Sequence, residues 1–321
     1  MAALPDIRVP EVVPLRHIRA EDLDPLLGEE SITWRSVLNW DFSASADLVR
    51  RFVKIQALNG FALVMNGHVV GYTYYVCEDR KALLGDVYIL REFSNPANED
   101  LLLAAVLRVL TDAVYLDRIE AQLMMLHGPS DRPMPYGQHL RVFPRNFMVA
   151  DLEDAYQLPR GKATATICFE RWTDSRQEET ATLIATAYAG HIDSSINDQY
   201  RSVHGAKRFL MNIVQYPGCG SFYGPASMLA QTGSQHITGI SLSSLVASDI
   251  GHITQICVAP AWQGKGVGYE LLRRSMLALA DHGCRKASLT VTAANTDAIR
   301  LYQRMGFRAM RRFAAYVWEG F

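Results

Sequence analysis

The sequence predicts an α/β protein made of two tandem copies of one domain, each a mixed, mostly antiparallel sheet flanked by helices. Three observations predict it. Residues 61–90 read FALVMNGHVVGYTYYVCEDRKALLGDVYIL, an apolar run, a turn at Asn66-Gly67, an alternating run, a charged turn and a second apolar run. That is the pattern of an antiparallel meander. Residues 227–258, SMLAQTGSQHITGISLSSLVASDIGHITQICV, repeat it with a turn at Thr232-Gly233-Ser234. Gly71 and Gly239 then stand at corresponding points, and Asp86 aligns with His252 near the start of corresponding strands. Finally, each half opens with a strand and an acidic-to-apolar helix, and each meander is followed by a helix and another strand.

In the second half the helix after the meander carries Val267, Leu271, Met276, Ala278 and Leu279 on one face. Glu270, Arg273, Arg274 and Asp281 are expected on the other face, and Gly283 at the C-terminal stop. The polar segment DLEDAYQLPRGK is the natural linker, which divides the chain into residues 1–150, a linker 151–162 and residues 163–321. A length of 321 residues suits two such domains, since single cores usually end at roughly 100–200 residues.

The charge balance, 32 basic against 33 acidic residues, offers no general field for nucleic acid or an anionic membrane. No apolar run reaches the ~20 residues of a membrane helix. Prolines and charges stand at the N-terminus where a secretory leader needs an apolar block. Five widely spaced cysteines without a C-x-x-C pair suit reduced thiols, so a cytoplasmic protein is expected. The nine histidines form no H-E-x-x-H or H-x-H cluster, so no metal is expected.

The chemistry is concentrated in one stretch, Ile256-Cys-Val-Ala-Pro260-Ala-Trp-Gln263-Gly-Lys-Gly266-Val-Gly268. An apolar strand runs into a proline, a glycine-dense turn and the amphipathic helix. Glycines let backbone approach a ligand closely, and the first N–H groups of a helix favour an anion. The stretch is therefore a phosphate cradle, or a tight strand-to-helix turn with no ligand. It is not a P-loop, because no G-K-[ST] occurs, and Tyr269 stands where a dinucleotide fingerprint needs its third glycine. Further on stands Asn295-Thr-Asp-Ala298-Ile-Arg-Leu301-Tyr302-Gln-Arg-Met-Gly306-Phe307, with Asn295 placed as a helix N-cap and Gly306 as its stop.

Taken together, V-x-P-x-x-Q-x-x-G-x-G followed by N-x-x-A-x-x-L-Y-x-x-x-G-F resembles the GCN5-related N-acetyltransferase (GNAT) superfamily. The resemblance is close over residues 236–310, and rests on the order of elements over the rest of 163–321. It implies two tandem GNAT-like domains and acetyl-CoA as cosubstrate. It places the coenzyme A pyrophosphate on the backbone of Gln263, Gly264, Lys265, Gly266, Val267 and Gly268, with Gln263 standing where many relatives have arginine. It also implies that Ile256, Cys257 and Val258 pair with the pantetheine amides, that Asn295 helps hold the cofactor arm, and that Tyr302 protonates the departing thiolate. A phenol of ordinary pKa ~10 suits that acid role, although a tyrosine here also packs naturally on the sheet.

Several family members carry a glutamate six residues before the position matched by Val258. Here that residue is His252, which is therefore expected as the base, or else as a hydrogen-bonded structural histidine. Asp249 is either its orienting partner or a turn residue. By the same resemblance the segment after the second half's first helix builds the acceptor pocket, with His191, Asp193 and Tyr200 as contacts. The alternative is that Asp193 or Ser194 caps a short helix and Tyr200 packs. The loop YPGCGSFYGP, residues 216–225, is expected over that pocket, and its Cys219 has no adjacent base to make it a nucleophile.

The first half keeps the fold pattern but not the loop. Ala97-Asn98-Glu99-Asp100-Leu101-Leu102 stands where the second half has QGKGVG, and no N-x-x-A-x-x-L-Y motif follows. The expected function is acetyl transfer to a primary amine of a small molecule. The alternatives are a protein-lysine or N-terminal acetyltransferase, or a non-catalytic acyl-CoA-sensing module. The sequence leaves the oligomeric state open.

Overall fold

In chain order the computed structural model runs β1 (Glu11–Pro14), α1 (Asp24–Leu38), α2 (Ser43–Lys54), β2 (Asn59–Met65), β3 (His68–Glu78), β4 (Lys81–Ile89), α3 (Pro96–Thr111), β5 (Arg118–Leu123) and β6 (Leu140–Asp151). It continues with β7 (Cys168–Arg171), α4 (Gln177–Ala187), α5 (Asp193–Ile196), α6 (Val203–Gln215), β8 (Ser221–Phe222), β9 (Met228–Gln231), β10 (Ile237–Ala247), β11 (Ile250–Val258), α7 (Val267–His282), β12 (Lys286–Thr292), α8 (Thr296–Arg304) and β13 (Arg308–Glu319). The structure describes residues 10–129, 132–216, 218 and 220–321. Cys219, and most of the N-terminal segment read for a leader, lie outside the described residues.

Two compact units emerge, and neither is one unbroken stretch of chain. The first holds residues up to Ser36, Phe42–Pro144 and Phe313–Phe321; the second holds Val37–Asp41 and Arg145–Arg312. In the first unit Asn66 and Gly67 adopt φ of 52° and 78°, the left-handed pair a two-residue hairpin needs. β1 to β4 are antiparallel in sequence order, and β5 lies parallel to β4 over residues 118–121. The far side of β5 is taken antiparallel by the end of the chain, with Ala314 opposite Leu123 and Glu319 opposite Arg118. Leu102, Leu103, Val106, Leu107 and Leu110 of α3 pack there on Leu63, Val87, Ile119 and Trp318.

The second unit repeats this plan. β7, β9, β10 and β11 are antiparallel neighbours, and β12 lies parallel to β11. The partner of β12 is β6, whose Asp151 faces Lys286 and whose Arg145 faces Thr292. Asp151 is thus a strand residue of the second unit, and the expected linker continues into a 3-10 turn, Glu153–Gln157, in which Ala155 is buried. One face of this sheet packs against α4 and α6 through Ile184, Leu210, Leu242 and Cys257. The other packs against α7 and α8 through Ile253, Leu272, Met276, Leu289 and Phe307.

α7 corrects one expectation. Glu270 is fully buried rather than solvated, because it accepts the Gly161 N–H at 2.8 Å and pairs with Arg273 and Arg274 at 2.9 and 2.8 Å. A buried carboxylate is tolerable only when paired in this way. The helix stops as expected at Gly283, in the left-handed region at φ 102°.

Candidate active site

β11 and β12 are hydrogen-bonded only over residues 250–253 and 286–289. Beyond that point β12 continues along β6 to Thr292, while β11 keeps β10 as its partner to Val258. Past Ile253, β11 has no β12 partner, so its edge over residues 254–258 presents main-chain groups that must find other partners. The separation starts at an irregularity in which Leu242 pairs with Gln255 but Ser243 pairs with Ile253, the signature of a bulge.

Ile256, Cys257 and Val258 lie on this edge. The Ile256 carbonyl accepts from the Tyr188 hydroxyl at 3.4 Å, and the Val258 carbonyl from Gln263 Nε2 at 3.1 Å. Gln263 therefore ties the loop to the strand. The Cys257 side chain is buried against α4 and α6, and burial pushes its thiol well above the usual range. Next comes a 3-10 turn, Pro260–Trp262, and then the glycine loop, in which Gly264 and Gly266 have φ of 72° and 84°. Gly266 is the N-cap of α7, and no side chain caps the helix there. The N–H groups of Val267, Gly268 and Tyr269 thus begin a 16-residue helix without intrahelical acceptors. A Cβ at Gly264 would meet nothing within 4 Å, and one at Gly266 only the Ala163 and Lys162 backbone and Ala163 Cβ at 3.7–4.0 Å. Lys265 extends over the Trp262 ring, 4.9 Å from its centroid.

At the other wall Asn295 caps α8, accepting from the Ala298 N–H at 3.2 Å. Tyr302, two turns along, is buried, and its hydroxyl has no hydrogen-bond partner among the described residues. Burial and the nearby Asp193 charge raise its pKa, with Arg145 opposing, so the phenol stays protonated.

The three expected acceptor contacts gather here. Asp193 accepts from the Thr292 hydroxyl, and its Oδ2 lies 3.7 Å from His191 Nδ1. His191 Nε2 faces Asn295 Nδ2 at 3.3 Å. Tyr200 stacks on Tyr188 at 4.5 Å, meets Phe209 edge-on and donates to Gln255 Oε1 at 3.3 Å. Neither Asp193 nor Ser194 caps α5 through its side chain.

His252 is placed differently. It is 4% exposed, meets Trp40 edge-on at 5.0 Å and stacks on Phe147 at 6.4 Å. Ser288 Oγ donates to the Gly251 carbonyl at 3.2 Å, so it accepts from His252 Nδ1–H at 2.9 Å. Burial, with Arg145 adding to it, pulls the imidazole down to about 3. A buried ring that resists protonation has little drive to take an ammonium proton, which favours the hydrogen-bonded structural histidine over the base. Asp249 does not orient it either, because it pairs with Arg285.

Sequence reasoning missed Tyr188, Gln255, Thr292 and Arg145. Gln255 had a signal, as an amide inside the apolar run ITQICV. Arg145, whose Nη2 donates to Thr290 Oγ1 at 3.3 Å, had none, because it lies outside residues 163–321.

The acetyltransferase (GNAT) family model matches residues 196–307, from the end of α5 to the residue after the Gly306 stop. Residues 196–307 thus match the GNAT family. The chain is 31% identical over 70 residues to the N-alpha-acetyltransferase MAK3 of Arabidopsis thaliana, covering 22% of the chain and 37% of that protein. It is 28% identical over 163 residues to a mycothiol acetyltransferase of Renibacterium salmoninarum, covering 49% of the chain and 45% of that protein. Among the first curated relatives it spans about a third of their length, 37% and 32%. In fold it is similar over 99% of its length to a GCN5-related N-acetyltransferase from Sphaerobacter thermophilus, with a TM-score of 0.66, 17% identity and 97% of that chain covered. A tandem GNAT protein from the clavulanic acid biosynthesis pathway gives 0.60 at 14% identity, over 97% of this chain and 98% of that one. Both likenesses are of fold, and the second is of a tandem fold. No described helix is long and apolar enough to cross a membrane.

Proposed function

We propose that the chain is an N-acetyltransferase that moves the acetyl group of acetyl-CoA to a primary amine of a small molecule by direct attack in a ternary complex. The observation that carries the reading is the parting of β11 from β12 beside an uncapped glycine loop. An extended arm with amides suits the strand edge at Ile256, Cys257 and Val258. A pyrophosphate suits the main chain of Gln263, Gly264, Lys265, Gly266, Val267 and Gly268, where no side chain blocks approach. Asn295 would steady the arm from the opposite wall.

Acetyl-CoA supplies the activated acyl group. The protein's part is to bring a neutral amine to it, to hold charge on the carbonyl oxygen and to give the leaving sulfur a proton. Tyr302 holds the proton for the sulfur, since its hydroxyl is not committed to another described residue. His191, Asp193 and Tyr200 form the acceptor side, and Asp193 supplies the negative charge that attracts an ammonium group. Relatives named as mycothiol and N-alpha-acetyltransferases are consistent with an amine acceptor of either size.

The test is thiol release from acetyl-CoA with a mixed panel of small amines, peptide N-termini and lysine peptides. Turnover with small amines supports the reading. Turnover with peptides alone moves the acceptor to protein, and tight acetyl-CoA binding without any turnover leaves a sensing module.

A further inference from the structure

The burial of His252 raises the question of which group receives the acceptor's proton. We infer that His191 does, with Asp193 as its positioning residue and Thr292 as the anchor of Asp193. The inference rests on the acetyl-transfer reading above.

The geometry that assigns it is local. His191 follows α4, and its side chain is 33% exposed, whereas His252 is 4% exposed as a residue. Its Nδ1 receives the Asp193 N–H at 3.2 Å and lies 3.7 Å from Asp193 Oδ2. The Asp193 carboxylate is itself held by the Thr292 hydroxyl at the end of β12. Tyr188 packs on the imidazole edge-on, with centroids 5.3 Å apart. The Nε2 side faces Asn295, the residue that starts the helix carrying Tyr302. The ionisable groups around this cluster are Asp193 on α5, Tyr188 beside α4, Tyr200 before α6, Cys257 on β11, Tyr302 on α8 and Arg145 on β6. Asp193 is the carboxylate among them. Its carboxylate lies beside the ring, and the ring is open enough to exchange a proton with water.

The proton count closes. The acceptor arrives as R–NH3+ and gives one proton to the unprotonated Nδ1 of His191, where the Asp193 carboxylate replaces the Asp193 N–H as partner, leaving a neutral amine. The C–N bond then forms and the C–S bond breaks. Tyr302 gives its proton to the leaving sulfur and regains one from the amide nitrogen. His191 returns its proton to solvent, so that one proton is released per acetyl group transferred.

The experiment compares His191→Gln, Asp193→Asn and the wild-type chain in pH profiles of kcat/KM, using two acceptor amines of different basicity. Acetyl-CoA binding by calorimetry is the control for folding. His191→Gln should lose the acidic limb and about 100-fold or more in kcat, with acetyl-CoA affinity unchanged. Asp193→Asn should keep the limb on a lower plateau. Histidine NMR of the acetyl-CoA-free protein, assigned by the signal lost in His191→Gln, should show that ring protonating along the same curve as the activity. A limb that persists in His191→Gln, or that moves with the amine, overturns the assignment, as does a His191 ring that does not titrate. A wild-type chain that binds acetyl-CoA but acetylates no amine refutes the acetyl-transfer reading instead.

Discussion

In the first unit Gly71 pairs with Ile89, Thr73 with Val87 and Tyr75 with Leu84; in the second Gly239 pairs with Val258, Ser241 with Ile256 and Ser243 with Ile253. The registers superpose on one bulge, and they put Asp86 opposite the place of Gln255 rather than of His252. At that shared point the units differ. Gln255 is held between the hydroxyls of Tyr188 and Tyr200 beside the strand edge. Asp86 is buried with Glu30, whose carboxylate accepts from Tyr72 at 2.8 Å and Trp34 at 3.3 Å. The helix starts differ in the same sense. Asn95 caps α3 by accepting the Asn98 N–H at 3.0 Å, and buried Glu99 takes the His127 N–H and the Arg132 guanidinium. α7 begins at a left-handed glycine with no side-chain cap. The first unit caps its helix start with the Asn95 side chain, and the second leaves the first N–H groups of α7 without a side-chain acceptor, open to an anion.

The largest expected effect tests that contrast directly. Titration with acetyl-CoA should give one site per chain, and Gly266→Glu should abolish it by placing a carboxylate at the start of α7, where α3 carries the capping Asn95. The variant also forces a side chain into φ 84°. Charge repulsion of several kcal/mol corresponds to roughly 1000-fold weaker binding, with circular dichroism confirming that the fold is retained. A stoichiometry of two would break the comparison, because the closed terminus of α3 would then bind the same anion.

Tyr302→Phe is next. It keeps the ring on Phe307 and removes only the hydroxyl, so kcat should fall about 100-fold with little change in KM for acetyl-CoA. An unchanged kcat would return Tyr302 to packing.

A third effect concerns the sealed acids of the first unit. Burial raises Asp86 to about 7, against the Val87 N–H and Glu30 contacts that lower it. Burial, then the Asp86 charge, raises Glu30 well above the carboxylate range. The folded state therefore binds protons that the unfolded chain releases near pH 4, so this contribution is complete below pH ~4 and is lost as pH rises through about 7. His252 acts in the opposite sense, losing stability as pH falls from ~6.5 toward about 3. Thermal midpoints should fall for the wild type between pH 5 and 8, and Asp86→Asn should flatten that slope by several degrees. Equal slopes in both proteins would mean that the pair holds no extra proton.

How much of this was legible follows from what periodicity can carry. The hairpin at Asn66-Gly67, the cap at Asn295 and the stop at Gly283 are local signals, and the structure has all three. The bulges were not legible, because an extra residue in a strand leaves the apolar pattern intact while shifting the alignment, which is how Asp86 came to be matched with His252. Strand partners were not legible either. Nothing local in residues 145–151 or 314–319 records that β6 pairs with β12 and the end of β13 with β5. For the site, the cradle and its tyrosine follow from the motif, whereas the Tyr188–Gln255–Tyr200 chain depends on tertiary contact between α4, the turn before α6 and β11.

The smallest effect decides what kind of difference separates the two units. Lys265 is exposed and lies over Trp262, so Lys265→Met removes a positive charge from the cradle while leaving both glycines in place. If main-chain N–H groups bind the pyrophosphate, the exposed charge adds only a screened attraction of about 1 kcal/mol. Acetyl-CoA should then bind roughly 5-fold more weakly at low salt, and the wild type and variant should converge as ionic strength approaches ~0.5 M. A loss as large as that of Gly266→Glu, persisting at high salt, would show that the second unit binds through a lysine side chain. The glycine loop would then be a turn that happens to carry it, and the contrast with α3 would be one of charge rather than of open backbone.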